Sequence, residues 1–314
     1  MLLVRANAED SSPALSTGAD PDALTSVPES EPTPASATRS STALDAWRSG
    51  RGSIVARSLR GRTVLVSARA ESPLRFVRPT FPGTSCAAVC LVTFGGGLVG
   101  GDEVELDIDV EPSATLAVFT QSSTKVFRGS SRQVIRANVE GTLVVLPDPV
   151  SAFAGARYTQ RIDIALGPNG ACVVLDGFTS GRAAFGDRWA MTALDFRTTV
   201  AHGGRTVLCD ALRLDCADGS IADRTGRFDA FATVVAVGHK AHPVVNAIVG
   251  EPIAPPSNDL VVAASPLPRA EALGVPGAIA RIAASSPAGA LAEARSRLRN
   301  LADIDAVDPF VSRY

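Results

Sequence analysis

FGGGLVGGDEVELDIDV, residues 94–110, is the stretch on which the fold turns. Gly95, Gly97 and Gly100 satisfy the G-x-G-x-x-G pattern of a dinucleotide-binding loop. Such a loop holds a pyrophosphate only when it opens into a helix whose N-terminal amides face the ligand. Here it opens into DEVELDIDV, where Val104, Leu106, Ile108 and Val110 alternate with Glu103, Glu105, Asp107 and Asp109. Period two sorts these residues into one apolar and one acidic face, whereas a helix would scatter them around its axis. The acidic face also has the wrong sign for a phosphate. The glycines therefore read as a wide turn between two strands, and the fingerprint match as a coincidence.

The same period runs outward from that turn. RTVLVSARA (62–70) alternates, and RYTQRIDIAL (157–166) places Tyr158, Gln160, Ile162, Ile164 and Leu166 on one face. Short apolar runs, AAVCLVTF (87–94), TLVVL (142–146), ACVVL (171–175) and AFATVVAV (230–237), fit strands covered on both faces. Turn signals separate them at Gly61, Pro82-Gly83, Glu111-Pro112, Gly141, 167–170 and 217–219. The pattern predicts a mainly β fold, a layered β-helix-like or sandwich stack of many short strands. Helix is expected only late: Pro287 at a first turn after Ser285 or Ser286 as cap, then AGALAEARSRLRNL, with GAIARIAA (277–284) as a shorter helix before it. Residues 1–45, rich in Ser, Pro and Ala, read as a disordered tail, and 46–314 as a single β domain.

Composition narrows the function. Lys+Arg (30) nearly balances Asp+Glu (32), so no basic excess points to nucleic acid or anionic lipid. The five cysteines are odd in number and form no C-x-x-C pair, which argues against a disulfide framework or a zinc ribbon. No run approaches the roughly 18 apolar residues of a membrane span, and the first residues show no signal peptide, so a cytosolic location is expected. No G-x-x-x-x-G-K-[ST] is present, so the chain carries no nucleotide loop of that type.

The run GGGLVGGDEVELDIDVEPSATLAVFTQSSTKVFRG (95–129) resembles the urease accessory protein family UreD, also called UreH. That family carries a Gly-Gly-Leu-Val-Gly-Gly-Asp turn, an acidic strand, and a second strand ending in Thr-x-x-x-Thr-Lys-x-[Phe/Tyr]. Thr120, Thr124, Lys125 and Phe127 stand at that spacing. LPDPVSAFAGARYTQ (146–160) and VVLDGFTSGRAAFGDRW (173–189) follow in the family's order. The resemblance is strong over about 86–215, weaker beyond, and absent from the tail. It implies a layered, β-helix-like UreD-type domain acting as a non-enzymatic scaffold. Such a scaffold binds apo-urease and the accessory protein UreF, which recruits the GTPase UreG, and nickel passes in transit rather than staying as a cofactor. It also implies an internal nickel passage through the protein.

Which side chains would serve that role? Nickel accepts imidazole, carboxylate and water oxygen. The three histidines, His202, His239 and His242, form no ligand motif, and Pro243 pushes His242 towards extended geometry. The carboxylates are better placed. Asp102 ends the glycine turn and serves either as a local cap or as path lining. Asp176 follows a buried run, needs a partner, and has Arg182 near enough in sequence to pair. Glu103, Glu105, Asp107 and Asp109 read as a solvated sheet face or an edge device. Thr120, Thr124, Lys125, Arg128, Asp148 and Arg182 are partner or path candidates, with Lys125 and Arg128 expected on opposite faces of one strand. Pro147 and Pro149 bracket Asp148 in a rigid exposed turn, a strand terminator or a docking point. The rival reading is a β-helical carbohydrate hydrolase or lyase using paired carboxylates. Only two Trp and two Tyr count against the aromatic platforms it needs.

Overall fold

Between residues 87 and 202 the chain passes back and forth between two sheets, and strands that stack within each sheet run parallel. The computed structural model describes residues 48–309; the expected tail, 1–45, lies outside them. The elements in order are β1 (Arg48–Leu59), β2 (Arg62–Ala70), β3 (Leu74–Val77), β4 (Ala87–Thr93), β5 (Asp102–Val110), β6 (Thr115–Thr120), β7 (Lys125–Val126), β8 (Gly129–Val139) and β9 (Thr142–Leu146). Then come β10 (Val150–Ala152), β11 (Ala156–Leu166), β12 (Ala171–Thr179), β13 (Ala193–His202), β14 (Arg205–Asp215), α1 (Ile221–Thr225) and β15 (Ala230–Val237). The chain closes with α2 (His242–Gly250), β16 (Leu260–Pro266), α3 (Pro268–Glu271), β17 (Gly277–Ala284) and α4 (Pro287–Arg297).

The first sheet has seven strands, in the order β14-β13-β11-β8-β5-β1-β2. The second has ten, β16-β17-β15-β12-β9-β6-β4-β3, with the short β10 and β7 joined to β12 at one end. In the first, β1, β5, β8, β11 and β13 are parallel. In the second, β4, β6, β9 and β12 are parallel. The layered, β-helix-like stack anticipated from the alternation is thus a coil, closed at its ends by antiparallel strands.

Register explains why these sequences stack. Leu106, Ile135 and Ile162 are successive partners on β5, β8 and β11, and all three are buried between the sheets. On the outer face the acidic side chains of β5 meet arginines of β8: Arg132 lies 2.7 Å from Glu103 and Arg136 3.1 Å from Glu105. This sheet face is solvated, as one of the two readings had it. The edge alternative is corrected, because β5 is a central strand between β1 and β8. All five residues of β9 are buried, and β12 is buried except at Gly177. The second sheet is covered by the first on one side and by α2 and α4 on the other, which is why its runs are continuously apolar.

Two local expectations are corrected. GAIARIAA is strand β17, paired with β15 and β16, not a helix. An eight-residue apolar run has no period that separates the two states. α2 was not anticipated at all. Pro243 falls in its first turn, where no backbone N–H is needed, and His242 is helical rather than extended. α4 starts at Pro287 as expected, with Ser286 Oγ accepting from Gly289 N at 3.1 Å. Its fully buried Arg297 pairs with Glu293 and donates to the carbonyls of Ile248 (2.7 Å) and Glu251 (3.3 Å). The side chain therefore caps the end of α2 and fastens it to α4. Among the described residues no helix is long and apolar enough to cross a membrane.

Candidate functional site

The coil has two unlike ends. Connections from the first sheet to the second are tight turns at 111–114, 140–141 and 167–170. Connections in the other direction are longer: 94–101, 121–128, 147–155 and 180–192. Each of the four contains one of the motifs singled out in the sequence, and they stack as successive corners at the same end.

Backbone hydrogen bonds tie each corner to the next. Leu98 N donates to Lys125 O and Phe127 N to Leu98 O, both at 2.8 Å. Ser151 N donates to Thr124 O (2.8 Å), Phe153 N to Val126 O (2.9 Å), and Gly155 N to Ala190 O (3.0 Å). This contact explains Gly97: a Cβ there would stand 2.3 Å from Lys125 O. A second close approach joins Gly100 to Gly129, whose φ of +104° also suits glycine alone. Gly97 and Gly100 are thus packing positions between corners, while Gly95 and Gly96 supply left-handed backbone in open space, and strand β5 follows.

The proposed site residues divide between this end and the interior. Asp102 is buried, and its carboxylate accepts from Val99 N at 2.8 Å, so it closes its own turn. Thr120 Oγ1 donates to Asp148 Oδ2 (3.0 Å) and accepts from Asp148 N (2.8 Å), which fixes 147–149 against the end of β6. Pro147, Asp148 and Pro149 are half-buried rather than exposed. Strand β7 is only two residues long, so Arg128 lies beyond it, and Lys125 and Arg128 are both exposed. Thr124 and Thr120 line a cavity of about 70 Å³ between the sheets, with Leu106, Ile135 and Gln133 on its inner wall.

The expected pairing of Asp176 with Arg182 does not occur. Arg182 lies past the end of β12 in the exposed corner, where its Nε donates to Asp187 Oδ2 at 2.9 Å. Its guanidinium stacks 4.4 Å from the Phe153 ring, which in turn meets Phe127 edge-on at 5.3 Å. Asp176 points the other way, between the sheets. Its Oδ1 accepts from Gln160 Nε2 and from Gly177 N, both at 2.8 Å, and Gln160 Oε1 accepts from the buried Tyr158 hydroxyl at 3.0 Å. Burial pushes the Asp176 carboxyl up to about 6, and the Asp210 carboxylate adds to that, against the hydrogen bonds from Gln160, Gly177 and Thr198. It lines a second cavity of about 120 Å³ with Thr198, Asp210, Thr233 and Arg281.

The two cavities share no lining residue, but one step of strand register separates their walls. Gln133, on the wall of the first, is the direct register partner of Gln160, which holds Asp176 on the wall of the second. One carboxylate held by one amide is a weak, sparse donor set for a cation, not a closed coordination shell. Among the described residues no three His, Cys, Asp or Glu side chains gather as a metal-holding group. Gln160, Tyr158 and Asp210 were missed as functional candidates. The one available signal was polar residues at inward positions of otherwise apolar strands. The carboxylate pair Asp176 and Asp210 shares a cavity well below the roughly 300–1,000 Å³ of a ligand pocket, which leaves no room there for a glycan chain.

Comparison with known proteins decides the family. A family model described as UreD urease accessory protein matches residues 48–311. The chain belongs to the UreD family. It is 43% identical over 275 residues to the urease accessory protein UreD of Sorangium cellulosum, covering 86% of each chain. It is 35% identical over 272 residues to the UreD of Anaeromyxobacter sp., covering 84% of this chain and 89% of that one. Against the urease accessory protein D of Oryza sativa subsp. indica it is 31% identical over 208 residues, covering 63% and 68%. The match begins where the described strands begin, at Arg48, so the two UreD sheets lie within it from the first strand.

Proposed function

We propose that this UreD-family chain is a non-enzymatic scaffold of urease maturation that binds apo-urease together with UreF and UreG and conducts nickel through the space between its sheets. Nickel is cargo here, held in transit. The observation that carries the reading is Asp176, a buried carboxylate on the wall of an inter-sheet cavity, hydrogen-bonded to Gln160, whose register partner Gln133 lines the other cavity. A structural role alone is a poor account of it. An apolar side chain would fill the same place without the cost of burying a charge. The stacked corners suit the docking half of the role. Lys125 and Arg128 carry no ion pair among the described residues, and Phe185 is 79% exposed beside Arg182. Arginine and aromatic side chains are the usual anchors of protein interfaces. UreG, as the GTPase, supplies the nucleotide chemistry that this chain has no loop for.

The test is Asp176→Asn in the urease-producing host, with urease nickel content and activity measured at limiting nickel. The expected result is nickel-poor urease although the variant still co-purifies with the enzyme. Full nickel loading by the variant would refute the path.

A further inference from the structure

The Asp176 cavity opens at the last strands of the stack. Asp176, Thr233 and Arg281 are directly paired positions across β12, β15 and β17, so their side chains share the face turned towards the other sheet. On that other sheet Thr198 and Asp210 are paired across β13 and β14. All five residues line the cavity. Arg281 spans the gap: its Nη2 lies 2.5 Å and its Nε 3.2 Å from Asp210 Oδ1. Among the described residues this is the ion pair that joins a strand of one sheet to a strand of the other. The Arg281 side chain is 58% exposed and that of Asp210 19%, so the pair sits at the mouth with Asp176 behind it.

We propose that Arg281 is a latch, a tethered cation that holds the mouth of the Asp176 cavity shut against divalent cations until it is drawn aside. The inference rests on the reading of Asp176 as a nickel-path residue. A guanidinium cannot discharge itself by losing a proton. While it is bound to Asp210, it neutralises one of the two carboxylates facing the cavity and repels an incoming dication. The Arg281 side of the pair is exposed and within reach of a competing carboxylate, whereas Asp210 is mostly buried, so the latch opens when another anion takes the guanidinium and a cation takes its place at Asp210. A partner carboxylate docking at this edge would compete for Arg281 and expose Asp176 and Asp210 together. Nickel access would then depend on the partner being in place, which keeps the ion from loading an isolated scaffold.

The experiment uses the purified full chain and nickel ion alone, by equilibrium dialysis, with the parent, Arg281→Gln, Arg281→Lys and the double variant Arg281→Gln/Asp176→Asn. The expected result is nickel binding about tenfold tighter in Arg281→Gln, the scale of removing one unit charge beside a dication. Arg281→Lys should stay at the parent's affinity, and the double variant should lose the gain. Arg281→Met gives the same comparison if the glutamine variant is unstable. Equal affinity in the parent and Arg281→Gln overturns the latch. If the latch fails while Asp176→Asn still yields nickel-poor urease, the path stands without it. If Arg281→Gln gains affinity through Asp176 but Asp176→Asn loads urease fully, the path reading falls and the gated cation site remains.

Discussion

Asp176→Asn should stabilise this protein, and by an amount that depends on pH. The parent carboxyl has an ordinary value of 3.8 and is raised to about 6 in the folded state, chiefly by burial. The unfolded chain therefore releases its proton first, and stability falls as pH rises between those values. The loss is complete above the folded value. A gap of just over two pH units is worth about 3 kcal/mol. Asparagine carries no charge to bury and keeps the acceptor oxygen that Gln160 Nε2 and Gly177 N require. Its new amide is turned towards the side of Thr198 and Asp210. Any misfit of the amide is the same at every pH, so it cancels in a comparison. Urea denaturation of both proteins at pH 4.5 and 7.5 should show the advantage of the variant growing by about 2 kcal/mol across that interval. A constant difference would mean that the carboxylate is solvated when folded, and the buried-carboxylate argument for a path would go with it. A variant that is more stable yet worse at nickel delivery is the pattern expected of a functional group kept at a cost.

Four further outcomes follow from the packing. Gly97→Ala places a methyl against the Lys125 carbonyl and should cost about 1–3 kcal/mol by chemical denaturation; a neutral result would mean the corners do not stack this closely. Arg297→Leu removes the buried clamp between α4 and α2 and leaves Glu293 without its partner, for a loss of about 3–5 kcal/mol, with local hydrogen exchange rising in α2. Ser286→Ala removes the cap of α4 and should lower stability by about 1 kcal/mol, measured by the same denaturation. The double reversal Lys125→Glu/Arg128→Glu should leave stability within about 0.5 kcal/mol of the parent while urease recovered with the tagged protein from host lysate drops; unchanged recovery would move the docking surface elsewhere.

The strands were legible because period two is a local property. DEVELDIDV and RYTQRIDIAL declare their buried faces without reference to anything else, and the structure buries those faces. What local pattern cannot carry is the partner across the fold. Arg182 is six residues from Asp176 in sequence, but β12 runs to Thr179, so the corner takes Arg182 outside while Asp176 faces in. The residue that does hold Asp176 is Gln160, on the other sheet. The Arg281–Asp210 pair joins positions 71 residues apart. Helix and strand were confused where the run was short and uniformly apolar, at 277–284, and α2 was hidden by a proline that both ends extended segments and begins helices.

The placement of Asp176 makes the two halves of the proposed role fit one architecture. It stands three residues before the end of β12, about 10 Å along the strand from the stacked corners. Gln133 and Gln160 are at matching depth on adjacent strands of the facing sheet. A conduit of the proposed kind needs two approaches to the carboxylate, and the fold offers a candidate for each. One would run by way of Gln160 and its register partner Gln133, which shares a cavity with Thr120 and Thr124. The other leads sideways through the mouth that Arg281 and Asp210 close. A coil of parallel strands produces this arrangement at little structural expense. Each turn repeats the same inward positions, so replacing an apolar residue by an amide on successive turns lays a polar line through the core, while the corner of every turn remains free to vary for docking.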